Sequence, residues 1–206
     1  MKKTTENLIL LNTIFSICLV LATILASKLI IIGNHFVVPS AVVVYGVTFL
    51  CTDIIGELWG KEEANKTVMN GFLMQIMATI LIQIAIKLPI APFMEGFQTH
   101  FNAVLNGTMR MTLASLVAYL VSQSTDVLIF HKIKEINNDN HKWLRNNMST
   151  IISQLLDTAI FVGIGFYGIV PNLWVMIYSQ WFIKIIIALC DTPFFYYFTR
   201  KNRQIA

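Results

Sequence analysis

Apolar residues run along the chain in six blocks, each near the ~20 residues that carry an α-helix across a hydrocarbon core. The blocks are residues 7–32, 37–59, 66–90, 108–131, 147–169 and 173–198. Short segments with turn chemistry separate them at Gly33–His35, Trp59–Lys66, Pro89–Pro92 and Val170–Asn172. The longest polar stretch, Lys132–Asn147, lies between the fourth and fifth blocks. This pattern predicts an all-α membrane protein of six transmembrane helices, forming a single domain over residues 1–206.

Composition agrees. Only 13% of the 206 residues are charged, and the mean hydropathy is +0.66. A soluble domain carries about 25% charged residues. The deficit is spread along the whole chain, which argues against a soluble domain with one anchor. The N-terminal stretch begins like a signal peptide, but its apolar part is too long and no small-x-small site precedes a polar region. It reads as an uncleaved first span. Cys18, Cys51 and Cys190 all fall in apolar blocks and read as small buried hydrophobes.

Charge sets the orientation. Lys2, Lys3, Lys61, Lys66, Lys132, Lys134, Lys142, Arg145, Arg200, Lys201 and Arg203 all fall on one side of a six-span layout. The opposite loops around Asn34 and Asn172 have no Lys or Arg. The positive-inside rule then puts both termini in the cytoplasm. The net charge of +4 therefore suits topology rather than nucleic-acid binding. Lys87 reads as a snorkelling residue at the outer end of the third helix.

Five carboxylates interrupt the apolar blocks: Asp53, Glu57, Asp126, Asp157 and Asp191. An ionised Asp at the bilayer centre costs roughly 2.5–3.5 kcal/mol on insertion scales, so such residues mark pathways or binding sites. Glu57 is four residues from Lys61 and reads as interfacial, whereas Asp53 is deeper. The cations Lys28, Arg110 and Lys184 fall in the outer half. Asp53, Asp126 and Asp191 fall in the inner half, with Asp157 near the middle. That polarity could guide a polar solute inward, or it could reflect structural pairing such as Lys184 with Asp157 across helices.

One internal echo stands out. SQSTDVLIF (Ser122–Phe130) in the fourth span matches SQLLDTAIF (Ser153–Phe161) in the fifth at Ser, Gln, Asp, Ile and Phe. The two spans run in opposite directions, as in an inverted repeat with a site near the midplane. Gln and Asp three residues apart share a helix face. Gln123 with Asp126, and Gln154 with Asp157, would each present an amide beside a carboxylate, a set suited to a ligand with several N–H donors and a carbonyl. The structural alternative is that these groups bond to each other and lock the two helices. Among the aromatics Phe161, Tyr167, Trp174, Tyr178, Trp181, Phe194 and Phe195, most read as lipid-facing, with one or two able to stack on a planar ligand.

Several chemistries have no signature. There is no Walker motif for ATP hydrolysis, and His35, His100, His131 and His141 form no HxxxH pair for a metal or haem. No Ser/His/Asp order points to an intramembrane protease. The sequence thus predicts neither an enzyme nor a cofactor. Ala22 and Ala26 form a small-xxx-small pair that permits close helix contact.

TDIIGELWGKEEA (Thr52–Ala64), SQSTDVLIFHKIK (Ser122–Lys134), RNNMSTIISQLLDTAIF (Arg145–Phe161) and the helix carrying Lys184 resemble the queuosine precursor transporter family, also called the vitamin uptake transporter family. The resemblance runs from about Ala26 to Phe198. It implies uptake of a 7-deazaguanine, either queuine or a pre-queuosine base, by a fold similar to the substrate-capture components of energy-coupling-factor transporters. On that reading Asp126 or Asp157 takes the N1–H and 2-amino edge, and Gln123, Gln154, Arg110 or Lys184 takes the 6-oxo group. Asp53, Asp191 and Lys28 complete the candidate set. The partners are then a nucleobase and the lipid bilayer, and a homodimer is compatible with so small a bundle. The competing readings are a binding subunit that needs a separate ATPase module, with Ala22 and Ala26 as its docking face, and a membrane-embedded enzyme or structural bundle.

Overall fold

The computed structural model describes residues 1–33, 35–136 and 142–199, without the side chains of 95, 126–127, 130–131, 133–136, 142–150 and 191–192. The elements are α1 (Thr5–Leu25), β1 (Leu29–Ile32), β2 (Phe36–Pro39), α2 (Val42–Trp59), α3 (Lys61–Lys87), a 3₁₀ turn (Pro92–Met94), α4 (Glu95–Leu105), α5 (Thr108–Ile136), α6 (Lys142–Phe166) and α7 (Leu173–Thr199). Among the described residues, five stretches are long and apolar enough to cross a membrane: Thr5–Leu25, Val42–Trp59, Lys61–Lys87, Gly96–Thr125 and Leu173–Thr199. The apolar part described for α6 is shorter, Ile151–Phe166. The chain is a mostly helical, multi-pass membrane protein.

Two predicted boundaries are corrected. The first and second blocks were expected to be helical through residue 32 and from residue 37. Instead α1 stops at Leu25, and Leu29–Ile32 and Phe36–Pro39 pair as antiparallel strands with Ile30 opposite Val38 and Ile32 opposite Phe36. Hydropathy alone does not separate an apolar strand from more helix. The β-branched run favours a strand here, and Gly33 turns the chain at φ 57°. The second correction is at Trp59–Lys66, expected to be a loop. Helix α3 already begins at Lys61, because one glycine makes the whole junction: Gly60 sits at φ 98°, in the left-handed region. Glu62 and Glu63 then occupy the first turn of α3, where acidic side chains complement the helix dipole. Between α3 and α5 the expected short turn also contains α4, a short helix with Phe97 and Val104 exposed.

The long helices close a ring. α5 packs on α6, α6 on α7, α7 on α2, α2 on α1, α1 on α3, and α3 on α5. Small residues set the tight seams. A Cβ at Gly71 of α3 would lie 2.5 Å from Phe15 of α1, and one at Gly165 of α6 would lie 3.1 Å from the Met111 sulfur of α5. A buried hydroxyl pair, Thr79 with Thr112 at 2.7 Å, ties α3 to α5.

At the end of the bundle that carries the hairpin, Ala26, Ala41, Met111, Ala114, Val162, Phe166 and Met176 pack into one buried apolar cluster. These residues come from the ends of α1, α2, α5, α6 and α7, and they stopper that end of the ring. Strand β2 lies on α7, where Val38 meets Ile183 and Phe36 stacks on Phe182 at 5.2 Å.

Candidate functional site

Inside the ring lies a cavity of about 480 Å³ to which all six long helices contribute. Its polar wall is formed by Thr48, Thr52 and Asp53 of α2, Asn65 of α3, Ser115, Tyr119, Ser122 and Gln123 of α5, Ser153, Gln154 and Asp157 of α6, and Lys184 of α7. Its apolar wall includes Phe15, Tyr45, Phe49, Phe72 and Phe161.

One ion pair in the site crosses from α7 to α6. Lys184 Nζ donates to Asp157 Oδ2 at 2.8 Å, and the two side chains are 9% and 23% exposed. Asp157 is nine residues from the end of α6 and Lys184 eleven from the start of α7. At 1.5 Å per residue these are about 14 and 17 Å along the helices from those ends, about half the thickness of a ~30 Å hydrocarbon core. Either charge alone would be heavily penalised there, so pairing is what lets both remain. Lys184 also stands 5.5 Å from the Tyr45 ring centroid, within cation–π range. Tyr45 in turn stacks against Phe49, 6.4 Å between centroids.

Three hydroxyls of this wall share a pattern. Thr48 donates to the Tyr45 carbonyl at 2.8 Å, Thr52 to Phe49 at 2.9 Å, and Ser122 to Tyr119 at 3.1 Å. Each spends its one proton on its own helix, and its oxygen lone pairs remain as acceptors. With carboxylates and amide oxygens around them, the wall is rich in acceptors. It suits a ligand rich in N–H donors, with Lys184 and the Gln and Asn amides available for a carbonyl.

Of the sequence candidates, Asp53, Gln123, Gln154, Asp157 and Lys184 line this cavity. The Ser–Gln pairs of the echo, Ser122–Gln123 of α5 and Ser153–Gln154 of α6, both line it, with Ser122 and Ser153 buried. Arg110 does not line it. Its guanidinium donates to the carbonyls of Ile164 and Tyr167, both at 2.6 Å, capping the C-terminal end of α6. Lys28 is exposed between α1 and β1, and Glu57 is exposed on α2. The side chains of Asp126 and Asp191 lie outside the described residues. Sequence reasoning passed over Tyr45, Asn65 and Tyr119. Tyr45 lies two turns from Asp53 on α2 and Tyr119 one turn from Gln123 on α5, which helical spacing could have flagged; Asn65, on α3, carries no such signal.

A multi-pass helical bundle with a paired charge in a polar central cavity has the form of a membrane transporter. The family model described as "Putative vitamin uptake transporter" matches residues 39–198, and the chain belongs to that family. It is 36% identical over 157 residues to the "Probable queuosine precursor transporter" of Bacillus subtilis (strain 168), a match covering 75% of this chain and 68% of that protein. Two further relatives align over 121 residues, which is 58% of this chain. They are the "Probable queuosine precursor transporter" of Haemophilus influenzae, at 29% identity over 48% of its length, and the "Queuosine precursor transporter" of Escherichia coli K12, at 27% over 51%. No solved structure matches the chain.

Proposed function

We propose that this chain is a single-domain carrier that brings queuosine precursors, 7-deazaguanine bases such as queuine, across the cytoplasmic membrane. The observation that carries the reading is the acceptor-rich cavity with the Asp157–Lys184 pair at mid-depth. A deazaguanine presents N1–H and a 2-amino group side by side, which one carboxylate accepts in parallel, and a 6-oxo group next to them, which an adjacent ammonium donates to. Asp157 and Lys184 have that donor and acceptor character and are already neighbours. Gln123, Gln154 and Asp53 then serve the remaining polar edge, and Tyr45, Phe49 or Phe161 the ring face. The names of the relatives support the ligand class.

In this reading α6 also crosses the membrane, as the fifth of six spans. Its 25 residues are about 36 Å long as a helix, enough for the core if its basic first turn reaches the cytoplasmic surface. Both termini then face the cytoplasm. The apolar cluster at the hairpin end closes the outer side, so this conformation holds the site away from the outside.

Uptake by the chain alone tests the proposal. Proteoliposomes containing only this protein, without ATP, should accumulate labelled queuine above protein-free vesicles. Equal uptake by both would contradict an autonomous carrier.

A further inference from the structure

Helix α4 is mounted with amides turned inward and apolar side chains turned out. Gln98 Nε2 donates to the Ile86 carbonyl in the last turn of α3 at 3.2 Å and to Asn102 Oδ1 at 3.1 Å. Gln98 and Asn102 are half-buried, whereas Phe97 and Val104 are 51% and 47% exposed. Just before the helix, Phe93 and Met94 are exposed as well. Phe97 and Val104 are seven residues apart and share a helix face, while Thr99 lies about 200° round the helix from Phe97. In water this mounting is the wrong way round. An amphipathic helix on a soluble bundle buries its apolar stripe and shows its amides to solvent.

The surroundings of that face follow from where the helix is attached. α4 connects the end of α3 to the start of α5, both apolar spans, through residues 88–94 and 106–107. The outward surfaces of these spans are apolar too, with Ile80 and Ile84 of α3 and Met109 and Leu113 of α5 exposed. The bond from Gln98 to Ile86 sets the depth of α4. Lys87 stands in the same last turn of α3, and a lysine at the end of a span marks the level of the headgroups. Residues 96–109 contain no Asp, Glu, Lys or Arg, so no charge has to be carried into the boundary layer.

We infer that α4 is an interfacial helix, seated in the bilayer surface with Phe97 and Val104 between the headgroups and the acyl chains. Its partner is phospholipid. The lipid-facing surfaces of α3 and α5 lead into it at both ends, and such a helix sinks its apolar face by roughly 5–10 Å. The α3–α5 connection is thereby held at a fixed depth. A second copy of the chain fits this face less well, because Phe93, Met94, Phe97 and Val104 fall short of the ~800 Å² per partner that a stable protein interface buries. The inference concerns the membrane and does not depend on which solute is carried.

The test is photo-crosslinking of the full-length protein in vesicles of phosphatidylethanolamine and phosphatidylglycerol. The photoreactive residue p-benzoylphenylalanine replaces Phe97, Val104, Thr99 or, as a control on the lipid-facing side of α3, Ile80, one position at a time. Adducts are identified by mass. Phospholipid adducts are expected at Phe97 and Val104 in yields within about threefold of Ile80, and at Thr99 in a yield at least about fivefold lower. Chain-to-chain adducts as the main product at Phe97 and Val104 would overturn the inference and give the face to a second copy. No adduct at either position, with Ile80 labelled, would overturn it by leaving the face in water. Equal lipid yields at Thr99 and Phe97 would contradict one-sided seating. No lipid adduct at Ile80 would remove α3 from the membrane, and the inference with it.

Discussion

Arg110 and Lys184 are both cations in the apolar part of the chain, yet they sit in two different kinds of place. Arg110 is at the hairpin end, where the ring is stoppered by apolar side chains, and its donors are spent on the last carbonyls of α6. Lys184 is at mid-depth on the cavity wall, bonded to a carboxylate that lines the same space. What separates a structural charge from a candidate binding charge is therefore not its type or its distance from the surface. It is whether backbone groups that never move consume its hydrogen-bonding capacity, or whether a side chain facing a ligand-sized void shares it.

The comparison can be broken or sharpened by substitution. The largest effect is expected for Lys184→Met, which leaves the Asp157 carboxylate without its partner. Breaking a buried pair from one side costs about 3–5 kcal/mol, so the melting temperature should fall steeply and queuine binding should vanish. Adding Asp157→Asn to that variant should recover much of the stability and none of the binding; additive losses in a double-mutant cycle would contradict direct coupling. Arg110→Met should come next. It removes two charge-assisted hydrogen bonds that are solvent-exposed, together worth about 1–3 kcal/mol, yet it should leave the queuine Kd within about threefold. An Arg110→Met protein that stays folded but loses binding would move Arg110 into the site.

Two seam substitutions calibrate the scaffold. Gly71→Ala forces a methyl against Phe15 and should destabilise by about 1–3 kcal/mol, as overpacking does. A neutral result in a thermal melt would mean that α1 and α3 can part at little expense. Thr79→Val removes one buried hydroxyl bond to Thr112 and should cost about 0.6 kcal/mol, the average for such bonds between membrane helices.

Much of this was legible beforehand. The spans were readable because a bilayer demands long apolar helices, and five of the nine candidate site residues line the cavity because intramembrane polar groups are expensive enough to be sparse. Lys184 and Asp157 could be paired on paper from depth alone. The hairpin was not legible, since Leu29–Ile32 and Phe36–Pro39 are as apolar as the helices beside them and only β-branching distinguishes them. Arg110 was misleading for a physical reason: a cation near a span terminus can serve a ligand or cap a neighbouring helix, and only the position of α6 decides between them. Tyr45 went unnoticed because an aromatic carries no charge penalty, so it does not stand out in an apolar run until its neighbours are known.

The most direct measurement is the affinity of queuine for the purified protein and for Asp157→Asn, which keeps the size of the side chain while replacing one acceptor oxygen with a donor amide. The account predicts saturable micromolar or tighter binding to the wild type, weakened at least tenfold in the variant while guanine competes. Equal binding by the two folded proteins would contradict the claim that the Asp157–Lys184 cavity is where the base is read.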